Sequence, residues 1–570
     1  MIDRIRGLLR RFRSSPLAWI LVATLALHLI GIAWGLPGSD AWEEDGIAPR
    51  DFLVGAYETY APGHYFTYPP VHLLGLTVLT APAWGWALAH ARSFAPTDVV
   101  SAMIQVPTMT ILAIVARIVS ELMAVGIAYF LAKIAEEIRG ARAAWLVALT
   151  AGLNAVFTYY AHTSNLDVPY LFWASFSLLE VTRAIARTEP RRLRRALVLA
   201  ALAVGTKDQA YAIFLLALPL AFAAWVTLDP AARAKRGTIL RNLLIGVACA
   251  GALLLLVDGA VTNPSGFRHR IDFLLGPASQ DHAFYERSWA GRMKTLEDLA
   301  LSFHDFWPWP FGLLALVGLI DHVARTRRTP AKLVAGLIVL LASLSFIVCF
   351  NFTARRTEHR FALPVMLFLS LYVGLALDAL LGVARTRTSR LAAVVAIAGL
   401  ATWALFQCAA VDANLVWDPR YDAEAWLSAR VQPGDTIEVY GGNAHLPRFP
   451  PLARVTRVDV TPLAGRNPLP EVTEVVARFD DVEARRPRFI VVPAAWAWQY
   501  DVGFTPPGRV VPTLHAERMK DLESRAYFQA LYGETGGYRA AHVSAWSSRL
   551  FPAFNIHAST ASAVRIFERK

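Results

Sequence analysis

Charged residues are scarce in this chain. Asp, Glu, Lys and Arg make up 18% of its 570 residues against 55% apolar ones, where a soluble globular protein carries about 25% charge. So little charge cannot cover a water-facing surface of this size, and lipid is the expected main solvent. Cysteine is rarer still: Cys249, Cys349 and Cys408 lie singly in or beside apolar stretches. That spacing excludes a disulfide framework and a CxxC zinc or redox site. No GxxxxGK[ST] occurs, nor a GxGxxG between strand and helix, and the loops that carry the basic residues are too short to form a nucleotide-binding domain. A cytosolic nucleotide donor is therefore not expected. Solenoid periods and low-complexity tracts are absent as well.

What is present is an alternation. The net charge of +12 does not point to nucleic acid, because Arg and Lys gather in short segments between apolar runs, as cytoplasmic loops do. Arg4, Arg6, Arg10, Arg11 and Arg13 precede an apolar stretch at 17–36, longer than a signal-peptide core usually is and expected to stay as an anchor. Further basic clusters stand at 133–142, 187–195, 233–241, 325–332 and 385–390. With the N-terminus in the cytoplasm, each falls where an inside loop is required. Spans are expected near 17–36, 111–133, 143–158, 168–186, 196–206, 209–227, 242–261, 309–323, 333–350, 361–382 and 391–411, about eleven in all, which puts the C-terminus outside. The apolar stretch 71–90 reads better as a re-entrant or interface helix than as a crossing. After 411 the composition shifts to Pro, Asp, Arg and short strand-like runs such as 436–440 and 489–493 (FIVVP). The expected architecture is thus a polytopic α-helical membrane domain, 1–411, followed by an extracytoplasmic soluble α/β domain, 412–570.

Chemistry is expected on the outer face. The first outer loop holds Asp40, Glu43, Glu44, Asp45, Asp51 and Glu58 with only Arg50 to oppose them. This is either a solvated acidic loop or a set of carboxylates able to act as general base or to hold a divalent cation. A second outer turn carries His162 and Asp167. Asp167 alone suits a helix N-terminus; together, Asp45, Asp167 and His162 form a donor set that a metal ion would accept. Outer cations run against the charge bias and need a reason: Lys207, Arg268, Arg270, Arg355, Arg356 and Arg360. Each either snorkels to headgroups or binds an anion such as phosphate.

Six segments carry a resemblance: GLPGSDAWEEDGIAPRDFLVG (35–55), YFTYPPVHLL (65–74), AHTSNLDVPYLFW (161–173), LAVGTKDQAYAIFLLALPL (202–220), NPSGFRHRIDFL (263–274) and RTEHRFALPV (356–365). In this order they resemble the membrane-embedded glycosyltransferases of the GT-C superfamily, nearest the bacterial protein-mannosyltransferase and aminoarabinosyltransferase-like group. The resemblance covers residues 15–415. It implies transfer of a hexosyl or pentosyl unit from a polyprenyl-phosphate carrier to a glycan, lipid or protein acceptor at the extracytoplasmic face of a bacterial inner membrane. It further implies an Asp base after the first span, for which Asp45 is the best match. The family's following Glu is replaced by Gly46, so Glu44 and Asp40 remain open as base or partner. Asp167 matches a second outer acid, Lys207 a contact to the carrier phosphate, and Arg360 with Pro364 an Arg-aromatic-x-x-Pro element; Arg268 is the third cation chosen for the phosphate. A divalent cation at Asp45 and Asp167 stays open because related enzymes differ.

Two other readings compete. A lipid-linked sugar transporter or flippase would explain membrane charges, but no internal repeat is visible and the charges lie at one face. An inactive glycan-assembly scaffold would explain the missing Glu.

Overall fold

The computed structural model describes residues 15–38, 42–43, 46–47, 49, 51–276, 278, 283–461, 472–497, 500, 518, 520–554, 556 and 560–570. These fall into two compact units. One takes the described residues within Met1–Ile30, Asp51–Leu79 and Ala116–Ala409; the other takes those within Gly31–Arg50, Thr80–Val115 and Ala410–Lys570.

The first unit is helical. Among the described residues of the whole chain, six helices are long and apolar enough to cross a membrane, or up to nine if each bent pair is one span. Shorter helices occupy several of the other expected crossings, such as Asp167–Ala186 and Arg192–Val204. The initial span is cut short: Pro16–His28 is helical, and Gly31 and Gly35 then take positive φ, which side-chain-bearing residues rarely adopt. The stretch 71–90 is two helices, Val71–Leu79 and Ala81–Ala89. Residues 262–305, expected as a loop, contain helices Pro264–Leu275 and Trp289–Phe306, each opened by a capping side chain, Asn263 and Ser288.

Helix His359–Val383 is the centre of this unit, packed against Pro310–Thr326, Ala141–Gly152 and Pro330–Phe346. Close packing is set by glycine: a Cβ at Gly318 would run into the Tyr372 carbonyl, and one at Gly374 into the Val147 backbone. The helix ends that carry the basic clusters bond to one another. Arg139 reaches Asp321 at 2.5 Å, Arg142 reaches Asp378 at 2.5 Å, Arg183 and Arg187 share Glu137, and Arg192 reaches Glu180 at 3.1 Å. The opposite loops do likewise: Val71 N donates to Gly205 O at 2.9 Å, and Lys207 reaches Asp167.

The stretch 412–570 lies wholly in the second unit. It builds one six-stranded mixed sheet from β1 (Thr436–Val439), β2 (Arg454–Asp459), β3 (Val472–Val476), β4 (Phe489–Pro493), β5 (Tyr538–Ser544) and β6 (Val564–Arg569), in the order β3-β2-β1-β4-β6-β5. The first four pair in parallel and β6 antiparallel to β4 and β5. The uninterrupted apolar run FIVVP marks a strand covered on both faces. Phe489 and Val491 pack with Ile437, Val439, Leu427 and Ile566, while Ile490 and Val492 pack with Val458, Tyr440, Phe528 and Phe567. Period-two alternation makes the two cores.

Candidate functional site

The turn that leads into Asp167–Ala186 is built by local capping. Asn154 accepts from Phe157 N and starts helix Ala155–Ala161; Asn165 Oδ1 accepts from Asp167 N at 2.8 Å. Asp167 therefore opens its helix, where the N-terminal dipole favours an anion. It is fully buried. Its Oδ1 accepts from Lys207 Nζ at 2.7 Å and Gln209 Nε2 at 3.1 Å, and its Oδ2 has no hydrogen-bond partner among the described residues. Lys207 has extended backbone ahead of the short turn Asp208–Ala210, so neighbouring side chains point apart: Lys207 turns to Asp167, and Asp208 to Arg270.

Tyr170, one helical turn beyond Asp167, joins the group. Lys207 Nζ lies 6.0 Å from its ring centroid. Arg360 is buried, paired with Glu358 at 2.9 Å and set 4.6 Å from the Phe361 ring. Glu358 also holds Arg356 at 2.7 Å. The structure thus brings two residues chosen from sequence, Asp167 and Lys207, together beside Tyr170.

Arg268 is not with them. It is exposed on helix Pro264–Leu275, while Arg270 is buried. Arg270 grips both oxygens of Asp208 at 2.6 and 2.7 Å and lies 3.7 Å from Asp258. Burial pushes the Asp258 carboxyl up to about 6, with Arg270 opposing and the Asp208 charge adding. Asn263, which opens the same helix, donates to the carbonyls of Thr59, Ala61 and His64 and accepts from Gly63 N and Gly266 N. It ties the segment after helix Asp51–Tyr60 to the Arg270 helix. Sequence reading weighed Arg270 but passed over Asn263 and Asp258.

His162 belongs to a different cluster. Its ring nitrogens face the carbonyls of Thr158 and Ile30, and its carboxylate neighbour is Glu121 at 3.9 Å, which also lies 3.4 Å from His28. All three are fully buried. Sequence reading missed Glu121, although an ionisable residue inside an apolar run is the signal for such a group. Asp45, Glu44 and Asp40 lie outside the described residues. Among the described residues no group of three His, Cys, Asp or Glu could hold a metal ion. Asp167 already has a cation, the Lys207 ammonium, at one oxygen, and His162 is turned to backbone carbonyls; these two residues do not fit a divalent ion as the donor set of the sequence reading requires.

No family model matches the chain, and no curated protein matches it. Solved structures do align along nearly its whole length. ArnT from Cupriavidus metallidurans in the apo state is 15% identical, over 96% of this chain and 97% of that one, with a TM-score of 0.49. The same protein bound to undecaprenyl phosphate gives 15% and 0.47 over the same shares. The archaeal oligosaccharyltransferase AglB from Archaeoglobus fulgidus, in complex with an inhibitory peptide and a dolichol-phosphate, is 12% identical over 96% of this chain and 88% of that one, with a TM-score of 0.44. Both proteins are members of the GT-C superfamily. Likeness at this level settles neither fold nor chemistry, and the functional reading is carried by the chain's own residues.

Proposed function

We propose that this protein is a membrane glycosyltransferase that takes a hexosyl or pentosyl unit from a polyprenyl-phosphate carrier and passes it to a glycan, lipid or protein acceptor. The observation that carries this reading is the buried cluster of Asp167, Lys207 and Gln209, with Tyr170 beside it, together with the buried Arg360 that opens helix His359–Val383. Buried charge is costly, and such cations on an outer turn need a reason. Lys207 donates to Asp167, and Arg360 is ion-paired with Glu358. Ammonium and guanidinium groups are the side chains suited to phosphate oxygens.

In the proposed reaction Asp45 removes the proton from the acceptor nucleophile, with Glu44 or Asp40 as the other candidates for this role. The nucleophile attacks the anomeric carbon and a new bond forms with inversion. The bond from that carbon to the carrier oxygen breaks, and its electron pair leaves with the polyprenyl phosphate. Lys207 and Arg360 stabilise that charge, and such preorganised stabilisation is usually the largest catalytic contribution. Asp167 and Glu358 act as positioning residues that aim the two cations.

The proposed setting is a bacterial inner membrane crossed about eleven times, with the N-terminus cytoplasmic and 412–570 as an extracytoplasmic domain. Consumption of a polyprenyl-phosphate sugar in proteoliposomes containing an acceptor pool tests the activity. Carrier sugar that crosses the bilayer with its phosphate bond intact would make the protein a flippase instead.

A further inference from the structure

The C-terminal sheet domain contains a cavity of about 430 Å³ lined by Tyr500, Arg525, Phe528, Gln529, Tyr532 and Arg565, with two alanines. Arg525, Phe528, Gln529 and Tyr532 come from helix Leu522–Tyr532 at i, i+3, i+4 and i+7, so one face of that helix forms one wall. Arg565 comes from β6, opposite Val492 of β4. The aromatic rings are already ordered. Tyr500 stacks on Phe528 with centroids 5.0 Å apart, and the Arg565 guanidinium lies 4.7 Å from the Tyr532 ring.

The polar groups of the lining set its chemistry. Several arginines of this domain find carboxylates, among them Arg420 with Asp418, Arg448 with Glu424, Arg457 with Glu474 and Arg485 with Glu438. Among the described residues Arg525 and Arg565 have no such partner, and no acidic residue lines the cavity. Arg525 Nε and the hydroxyl of Tyr500, whose side chain is buried, also make no hydrogen bond there. A concave site with two guanidiniums that have no carboxylate partner among the described residues, an amide and aromatic rings matches a flat, partly apolar ring that bears one anionic group.

We infer that this cavity binds one anionic saccharide unit, a hexuronate-type ring, and so serves as a docking subsite for an acidic glycan. The anion preference rests on the cavity itself; the saccharide rests on the glycosyltransferase reading. Arg525 and Arg565 take the carboxylate, the ring's C–H face lies on Tyr532, and Gln529 with the Tyr500 hydroxyl takes ring hydroxyls.

Calorimetric titration of the full-length protein in detergent, with no carrier sugar present, tests this. Glucuronate, glucose, benzoate and inorganic phosphate are the probes. Glucuronate is expected to bind in about the millimolar range, with glucose weaker by roughly tenfold or more, and Arg525→Gln and Arg565→Gln each weakening glucuronate by roughly tenfold. Arg565 is exposed, so its variant carries the test if Arg525→Gln fails to fold. Equal binding of glucose and glucuronate, tighter binding of benzoate or phosphate, or indifference to Arg565→Gln would overturn the inference. Uronate binding by a protein that transfers no sugar would leave this site standing and remove the enzyme reading. Transfer without uronate binding would do the reverse.

Discussion

Lys207 Nζ stands 2.7 Å from Asp167 Oδ1, with the Asp167 side chain fully buried and that of Lys207 10% exposed. The pair ties the N-terminus of helix Asp167–Ala186 to the turn that follows Arg192–Val204. Breaking one member of a buried pair leaves the other charge without compensation, at a cost of about 3–5 kcal/mol. Lys207→Ala is therefore expected to lower the melting temperature sharply in detergent. The double variant Asp167→Asn with Lys207→Met removes both charges and should regain most of that stability. Carrier-sugar consumption should stay lost in the double variant, because the phosphate cation is gone. Recovery of activity together with stability would reduce the pair to a structural role.

Asp258 makes stability depend on pH. Its carboxyl is raised from 3.8 to about 6, chiefly by burial, so the folded state holds the proton more tightly than the unfolded chain. Its contribution is fully present below about pH 4 and lost as pH rises through about 6. The difference in melting temperature between wild type and Asp258→Asn, followed from pH 4 to 8, should move in favour of the variant as pH rises through that window. A flat difference profile would mean that Arg270 fully offsets the burial.

Asn263 makes three donor and three acceptor contacts through one side-chain amide. Each such bond contributes about 1 kcal/mol net, more where a buried group is left unmade. Asn263→Ala is expected to cost about 2–4 kcal/mol, with hydrogen-exchange protection lost first at residues 59–66. Protection unchanged at that segment would show that the cap does not hold it.

The legibility of the chain follows from where its signals are local. FIVVP at 489–493 is β4 because a strand covered on both faces needs no alternation, whereas β5 and β6 mix Arg, His and Glu into their faces and gave no such run. Basic clusters marked helix ends correctly enough that their partners, such as Glu137, Asp321 and Asp378, sit at neighbouring helix ends. The choice between Arg268 and Arg270 was not legible. Residues two apart lie on opposite sides of a helix, and only the helix's packing decides which is buried. Likewise His162 and Asp167 share a turn in sequence, but His162 is drawn to Glu121 and His28, whose helices start far away in the chain. Gly31 and Gly35 could have shortened the first helix in advance, since both sit inside the expected span.

The first outer loop carries the sharpest prediction. Asp45→Asn should abolish sugar transfer while leaving expression, membrane insertion and carrier binding close to wild type. Asn keeps the size and polarity of the side chain but cannot accept a proton at physiological pH, so the change separates base chemistry from packing. Loss of a general base costs about a hundred- to ten-thousandfold in rate. Asp40→Asn and Glu44→Gln must be measured beside it, because several carboxylates crowd this loop and Gly46 stands where the resembled family has a Glu. Near wild-type turnover in Asp45→Asn with a dead Asp40→Asn or Glu44→Gln moves the base by a few residues and keeps the reaction. Full activity in all three removes the loop from the chemistry, and Lys207 and Arg360 would then have to work with a base drawn from elsewhere, for which the orphaned Oδ2 of Asp167 is the next group to test by Asp167→Asn.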